Sequence, residues 1–183
     1  MAIPPELRPL RVNLVELLRQ PGAERTAQVQ VDPAALNCIV AEGQARPQGD
    51  INVGIRAISG IDEVEVECSI AAGWVGECRR CLSPISGVEH ISVVEHFRPA
   101  TAERAATARD GVEVVAVEGD QIDLVPTVRE TVMIELPLAP LCSLDCAGIC
   151  SICGTDLNSG SCLCAVEVRD DRWAALDDLR LDD

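Results

Sequence analysis

The sequence has no lysine, no tyrosine and only three aromatic side chains, Trp74, Trp173 and Phe97, in 183 residues. Without aromatics, the core must be built from Val, Ile, Leu and Ala, and such β-branched content favours strands. Apolar residues still make up 48% of the chain, ample for a buried core. Its length suits one domain, or one domain with a small appended module. The fifteen basic residues are all arginine and are scattered, against thirty acidic ones, for a net charge of -15. Gripping an RNA backbone needs clustered positive charge, so this balance argues against direct phosphate binding. It fits a protein kept soluble by its acids, or one that attracts a basic partner. A basic start followed by an apolar stretch is also missing, so no signal peptide is read. No apolar run approaches the roughly 18–20 residues needed to span a bilayer. The expected location is the cytoplasm, away from membranes. Ten cysteines in that reducing compartment point to metal ligands before disulfides.

Period-two alternation runs from about residue 28 to 98. Ile51, Val53 and Ile55 share one face; Val64, Val66, Cys68 and Ile70 share another, with Glu63, Glu65, Glu67 and Ser69 opposite; Ile91, Val93 and Phe97 form a third set. Turn signals fall at Gly43, Gly49-Asp50, Ser59-Gly60, Ala72-Gly73 and Ser83-Pro84. Arg11–Leu18 is ambiguous between helix and strand, and Pro21-Gly22 ends it. Residues 99–111 lack an apolar period and read as a mobile linker before a further strand, Val112–Val117. Asp123 and Pro126 mark a helix start, with Val125, Val128, Val132 and Leu136 at helical spacing until Pro137. The expectation is an α+β fold, mainly an antiparallel β meander or partial barrel with one solvated face, a C-terminal helix and a cysteine-rich metal knuckle. Two units are expected: a mainly β core over 1–137, and a knuckle module over 138–183. The acidic tail of that module places Trp173, Leu176 and Leu179 on one side of a short helix.

The densest chemistry is Cys142-x3-Cys146-x3-Cys150-x2-Cys153-Gly154, followed by Cys162-x-Cys164. Two residues between cysteines bring both sulfurs to one point, and the glycines let the backbone fold around an ion. So short a loop cannot build a core, so a bound metal would supply its folding energy; tetrahedral thiolate coordination suits zinc. Six cysteines exceed the four that one ion requires. The preferred set is Cys142, Cys150, Cys153 and Cys162, because Cys142 and Cys162 flank the knuckle and could close it from both sides. Cys146, Cys164, Cys78 and Cys81 are alternates, and a cluster of reduced, buried thiols is the bland reading. Cys78-Arg-Arg-Cys81 could also be a redox pair, but that use needs a following helix, and Ser83-Pro84 stands there instead. Completing a metal site and simple structural pairing both stay open for it. Cys38 and Cys68 read as small buried hydrophobes, and His90 and His96 as solvent-facing. A phosphate-binding glycine loop, a serine elbow and a His-x-Glu base for catalytic zinc are all lacking, which argues against an enzyme.

Taken in order, several motifs resemble the YceD family of large ribosomal RNA subunit accumulation proteins. They are Cys78-Arg-Arg-Cys-Leu82, Ile122-Asp-Leu124, Val128-Arg-Glu130, Leu136-Pro-Leu138, Pro140-Leu-Cys142, Asp145-Cys-Ala-Gly-Ile-Cys-Ser-Ile-Cys-Gly154, Asp156-Leu-Asn158 and Cys162-x-Cys164. The likeness covers roughly residues 75–180. Asp171-Arg-Trp-Ala-Ala-Leu176 is similar to the family's terminal Asp-Pro-Arg element, with Asp171 in the proline's place. The resemblance implies a role in producing or stabilising large-subunit (23S) ribosomal RNA, and a link to a basic ribosomal protein such as L32 or to a large-subunit precursor. Cysteine density alone also permits an RNA-processing enzyme, an iron–sulfur or thiol redox protein, or a zinc-stabilised adaptor unrelated to ribosomes.

Overall fold

The stretch that is ambiguous between helix and strand becomes both. A computed structural model describes residues 4–100, 114–164 and 172. In it a 3-10 turn over Pro5–Leu10 runs into strand β1 (Arg11–Asn13) and then helix α1 (Leu14–Leu18). The side chain of Asn13 accepts the Glu16 N–H at 2.8 Å and so starts the helix. Pro21 and Gly22, the latter at φ 84, turn the chain into β2 (Glu24–Val31). Then follow β3 (Arg46–Pro47), β4 (Ile51–Ser59), β5 (Val64–Glu77), β6 (Pro84–Pro99), β7 (Val114–Val117), β8 (Gln121–Asp123) and helix α2 (Val125–Glu135).

The main sheet has the order β2-β4-β5-β6-β7, with β3 on the edge of β5, while β1 and β8 form a separate antiparallel pair. Its alternation is the one expected. Val64, Val66, Cys68 and Ile70 are buried, and register pairs Val64 with Phe97, Cys68 with Val93 and Ile70 with Ile91 on that inner face. Over this face lie Leu7, Leu10, Leu14, Leu17, Leu36 and the inner side of α2. Val128 and Val132 of α2 are buried, and the Asp123 carboxylate accepts the Val125 N–H at the helix start. The opposite face carries charged and polar side chains beside exposed Val88 and Val94: Arg56 pairs with Glu24 at 2.8 Å, and His90 is exposed and His96 half-buried. The α+β expectation stands, and the sheet remains open rather than closing into a barrel, with β2 and β7 as its edges.

Two local expectations differ from the structure. Ala72-Gly73 is no turn; β5 continues through it to Glu77. Glycine is needed there for another reason. The Gln48 N–H donates to the Gly73 carbonyl at 2.8 Å, and a Cβ on Gly73 would stand 2.8 Å from the Gln48 carbonyl oxygen. Gly73→Val should therefore push β3 off the edge and destabilise the fold by about 1–3 kcal/mol, read as a lower urea midpoint. The second difference is that β7 runs parallel to β6, pairing His96 with Val114 through Pro99 with Val117. The expected linker at 99–111 thus begins within β6; its remainder beyond Ala100, and the expected tail helix apart from Arg172, lie outside the described residues. Among the described residues no helix is long and apolar enough to cross a membrane.

The hairpin of β5 and β6 carries Cys78–Ser83 at its tip. From the end of α2 the chain returns to that tip, where the Pro137 carbonyl accepts the Ala45 N–H at 3.0 Å and the Pro140 carbonyl accepts the Arg79 N–H at 2.9 Å.

Candidate metal centres

Two Cys-x-x-Cys turns in distant parts of the chain have the same backbone. In the first, the Leu82 N–H donates to the Cys78 carbonyl and the Cys78 N–H to the Ser83 carbonyl, both at 2.9 Å. In the second, the Gly154 N–H donates to the Cys150 carbonyl and the Cys150 N–H to the Thr155 carbonyl, again both at 2.9 Å. The residue after the second cysteine is left-handed in each, Leu82 at φ 61 and Gly154 at φ 73. Glycine adopts this conformation freely, whereas leucine pays about 1–2 kcal/mol for it. A hydroxyl follows: Ser83 Oγ lies 3.3 Å from the Cys81 sulfur, and Thr155 Oγ1 lies 3.1 Å from the Cys153 sulfur. Neither turn leads into a helix, so neither offers the helix N-terminus that a thioredoxin-type pair uses.

Each turn meets a second cysteine pair. Cys78, Cys81, Cys142 and Cys146 bring their sulfurs within 4.8 Å of one another, as do Cys150, Cys153, Cys162 and Cys164. In the first group Cys78 and Cys146 stand 3.7 Å apart, and Cys81 and Cys142 stand 3.6 Å apart. A tetrahedron with zinc–sulfur bonds of about 2.3 Å has edges of about 3.8 Å, so the donor set and spacing both fit a thiolate-bound divalent ion. All eight cysteines are unbridged thiols. The first group is the more enclosed: Cys78, Cys81 and Cys146 are buried against Ile85 and Leu141. In the second only Cys150 is buried, while Cys153 is exposed and Cys162 and Cys164 are half-buried.

The four thiols preferred from spacing are not one group. Cys150, Cys153 and Cys162 do come together, with Cys164 as their fourth member. Cys142 sits instead with Cys146, Cys78 and Cys81. The reason is the pairing of the Pro140 carbonyl with the Arg79 N–H, which fixes the chain just before Cys142 at the hairpin tip. The alternates thus complete a second set of four, and one of the two groups spans the expected unit boundary at 137/138. Cys68 is buried in the core and Cys38 half-buried against it.

Two residues without an assigned role in the sequence reading join the groups. Arg80 Nη1 donates to the Leu144 and Cys146 carbonyls at 3.1 and 3.0 Å, while its own carbonyl accepts the Ile149 N–H at 3.2 Å. Asn158 accepts the Ala147 N–H on Oδ1 at 2.7 Å, and its Nδ2 donates to the Cys146 sulfur at 3.4 Å. The signal for Asn158 is present in Asp156-Leu-Asn158, because Asp and Asn in a short loop tie side chains to nearby backbone: Asp156 accepts the Asn158 N–H at 2.9 Å. Nothing local signals Arg80, whose partners lie more than sixty residues away.

In each group the Cys-x-x-Cys pair is made acidic. The backbone N–H of Cys142, then that of Cys81, brings Cys78 down to about 6. The Thr155 hydroxyl, then its N–H, brings Cys153 to about 6. Cys81 is lowered chiefly by the Ser83 hydroxyl, and Cys150 by the Cys153 N–H. Of the returning cysteines, Cys142, Cys162 and Cys164 hold protons. Cys142, donating to Cys146 and Cys81, is pushed up to about 12, and so is Cys164, donating to Cys153. Cys162 feels a lowering N–H from Cys164, yet is raised by its bond to Cys150. Without metal, the depressed Cys78 and Cys153 stabilise the fold above the ordinary thiol value of 9.0 and lose that contribution as pH falls through about 6. The raised Cys142 and Cys164 do the opposite, stabilising below 9.0 and losing it as pH climbs through about 12. A metal must displace the protons on Cys142, Cys162 and Cys164. Loading both groups near neutral pH should therefore release at least these three protons and strengthen as pH rises. Calorimetry in buffers of different ionisation heat measures that release, and a count below three per chain would contradict this protonation pattern.

The stretch that contains all eight of these cysteines is also the stretch shared with known proteins. The family model for the large ribosomal RNA subunit accumulation protein YceD matches residues 66–180. A Mycobacterium tuberculosis protein described as uncharacterized is 36% identical over 172 residues, covering 92% of this chain and 80% of its own. A similarly described Mycobacterium leprae protein is 36% identical over 155 residues, 82% of this chain and 69% of its own. The Arabidopsis thaliana large ribosomal RNA subunit accumulation protein YCED homolog 1, chloroplastic, is 33% identical over 63 residues, 34% of this chain and 20% of its own. No solved structure matches significantly. With more than half of its length and both cysteine groups inside the family match, the chain belongs to the YceD family.

Proposed function

We propose that the chain is a cytoplasmic, non-enzymatic ribosome-biogenesis factor. In this reading it supports accumulation of large-subunit (23S) ribosomal RNA through contacts with protein, with structural zinc in its two cysteine groups. The observation that carries it is the division of eight cysteines into two complete sets of four within the family-matched stretch. Four thiolates fill a tetrahedral ion's coordination, whereas catalytic zinc keeps a position open. That supports a structural role. Zinc also suits all-thiolate tetrahedral sites without redox change. The family's description supports the link to ribosomal RNA. A net charge of -15 with no lysine supports a basic protein partner, such as L32 or another protein of a large-subunit precursor, over the RNA backbone.

The test is genetic and chemical together. Deleting the gene should lower the ratio of large- to small-subunit ribosomal RNA. The wild-type gene should restore it, and a Cys78→Ser gene should not. Purified protein should be colourless and contain zinc, whereas visible absorbance would mark an iron–sulfur cluster. An unchanged RNA ratio on deletion would remove the ribosomal reading.

A further inference from the structure

We propose that the aliphatic residues projecting from the cysteine loops, Leu144, Ile149, Ile152 and Leu163, form the docking surface for a basic protein segment that carries apolar side chains. This rests on the reading of the chain as a factor acting through protein contacts, and names the chemistry of the partner. The loops dictate the exposure. In a short ligand loop the sulfurs converge inward, so the side chains between them must face outward. Leu144 lies between Cys142 and Cys146, Ile152 between Cys150 and Cys153, and Leu163 between Cys162 and Cys164. They are 86%, 60% and fully exposed, respectively, and Ile149 beside Cys150 is 36% exposed. Ile152 and Leu163 flank sulfurs of one group that lie within 4.8 Å of each other, so their backbones border the same centre. Concentrated exposed aliphatics of this kind mark interaction surfaces.

Charge selects the occupant. Residues 138–164 contain Asp145 and Asp156 and no Arg, Lys or His. Each group, once loaded, adds further negative charge, because four thiolates outweigh one divalent ion. The neighbouring Arg80 turns its Nη1 to the Leu144 and Cys146 carbonyls. A phosphate backbone or an anionic lipid surface would be repelled. A cationic segment with leucine-like side chains would be attracted by the rim and held by the aliphatics.

The probe is a labelled amphipathic peptide of lysine and leucine, followed by fluorescence anisotropy with the zinc-loaded full chain. A Leu144→Ser/Ile152→Ser/Leu163→Ser variant should bind it at least about tenfold more weakly than wild type. A Val88→Ser/Val94→Ser variant on the outer sheet face, where both valines are exposed, should bind as wild type does. Raising the salt from about 0.05 M to about 0.3 M should weaken wild-type binding about tenfold. Unchanged zinc content and circular dichroism establish that each variant is folded. Equal binding by the triple variant, tighter binding of oligouridine than of the peptide, or self-association through these residues in light scattering would overturn the proposal. The triple variant placed in the deletion strain separates the two readings. Lost peptide binding with normal ribosomal RNA leaves the docking surface standing and removes its ribosomal role.

Discussion

Cys78→Ser is expected to be far more damaging than Cys153→Ser, although each removes one thiol from a group of four. Cys78 is fully buried at the hairpin tip, and its group joins the sheet to the returning chain at Cys142 and Cys146. Serine is a poor zinc ligand, so the first ion should be lost. The loss should spread, because Arg80 lies inside that turn and holds the Leu144 and Cys146 carbonyls and the Ile149 N–H. The second group is anchored to the body through those same contacts and Asn158. Cys153 is exposed and its turn closes locally through Thr155, so its replacement should cost the second ion alone. Structural zinc binding in small fingers is worth about 10–16 kcal/mol, and even part of that exceeds any single packing contact. Expected metal content is therefore about one ion for Cys153→Ser. For Cys78→Ser it is one or less, with the remaining ion taken by a chelator at least tenfold faster. The main sheet should survive both changes, since its core cluster is separate from the thiol cluster. Equal metal loss and equal chelator rates in the two variants would contradict this hierarchy.

Glu63→Ala should be the most destabilising charge change in the sheet. Arg98 on β6 is only 3% exposed, and its guanidinium donates to Glu63 at 2.7 Å. Asp62 stands further off at 3.9 Å and is 60% exposed. Removing the near carboxylate takes the shortest ion pair away from a buried cation. The expected cost is about 2–4 kcal/mol, less than for a fully enclosed pair because Glu63 is itself 30% exposed. A chain of this size loses about 2–4 °C of melting temperature per kcal/mol, so the shift should be about 5–15 °C. Asp62→Ala should cost under about 1 kcal/mol, as exposed pairs do. Thermal melts of the two variants side by side provide the check; a larger loss for Asp62→Ala would show that the burial of Arg98 is misjudged.

How much of this was readable beforehand depends on the range of each interaction. The inner face of β5 follows from side-chain alternation, a local property, and so does α2, whose start and stop are marked by Asp123, Pro126 and Pro137. Gly73 carried the right signal with the wrong meaning: a glycine marks either a turn or a close backbone approach, and only the partner, Gln48, distinguishes them. The parallel pairing of β7 with β6 was missed because the intervening stretch lacks periodicity. Yet parallel neighbours need a connection of a dozen or more residues, and residues 100–113 supply one of that length. The cysteines divide along the same line. Local spacing brings Cys150 and Cys153 together, but the partners of Cys78 and Cys81 lie sixty and more residues away, a distance over which periodicity is silent. The repeated turn was nonetheless written in the sequence. Cys78-Arg-Arg-Cys-Leu-Ser83 and Cys150-Ser-Ile-Cys-Gly-Thr155 share the order of two cysteines, a left-handed residue and a hydroxyl, hidden only because leucine stands where glycine is expected.

The central claim is that eight thiols form two separate all-sulfur centres. Metal analysis of the reduced, full-length protein, combined with zinc-edge X-ray absorption, tests it most directly. Two zinc ions per chain, each with four sulfurs at about 2.3 Å, is the predicted result. A single ion per chain, nitrogen or oxygen in the coordination sphere, or a metal-free protein that keeps residues 142–164 ordered would contradict it.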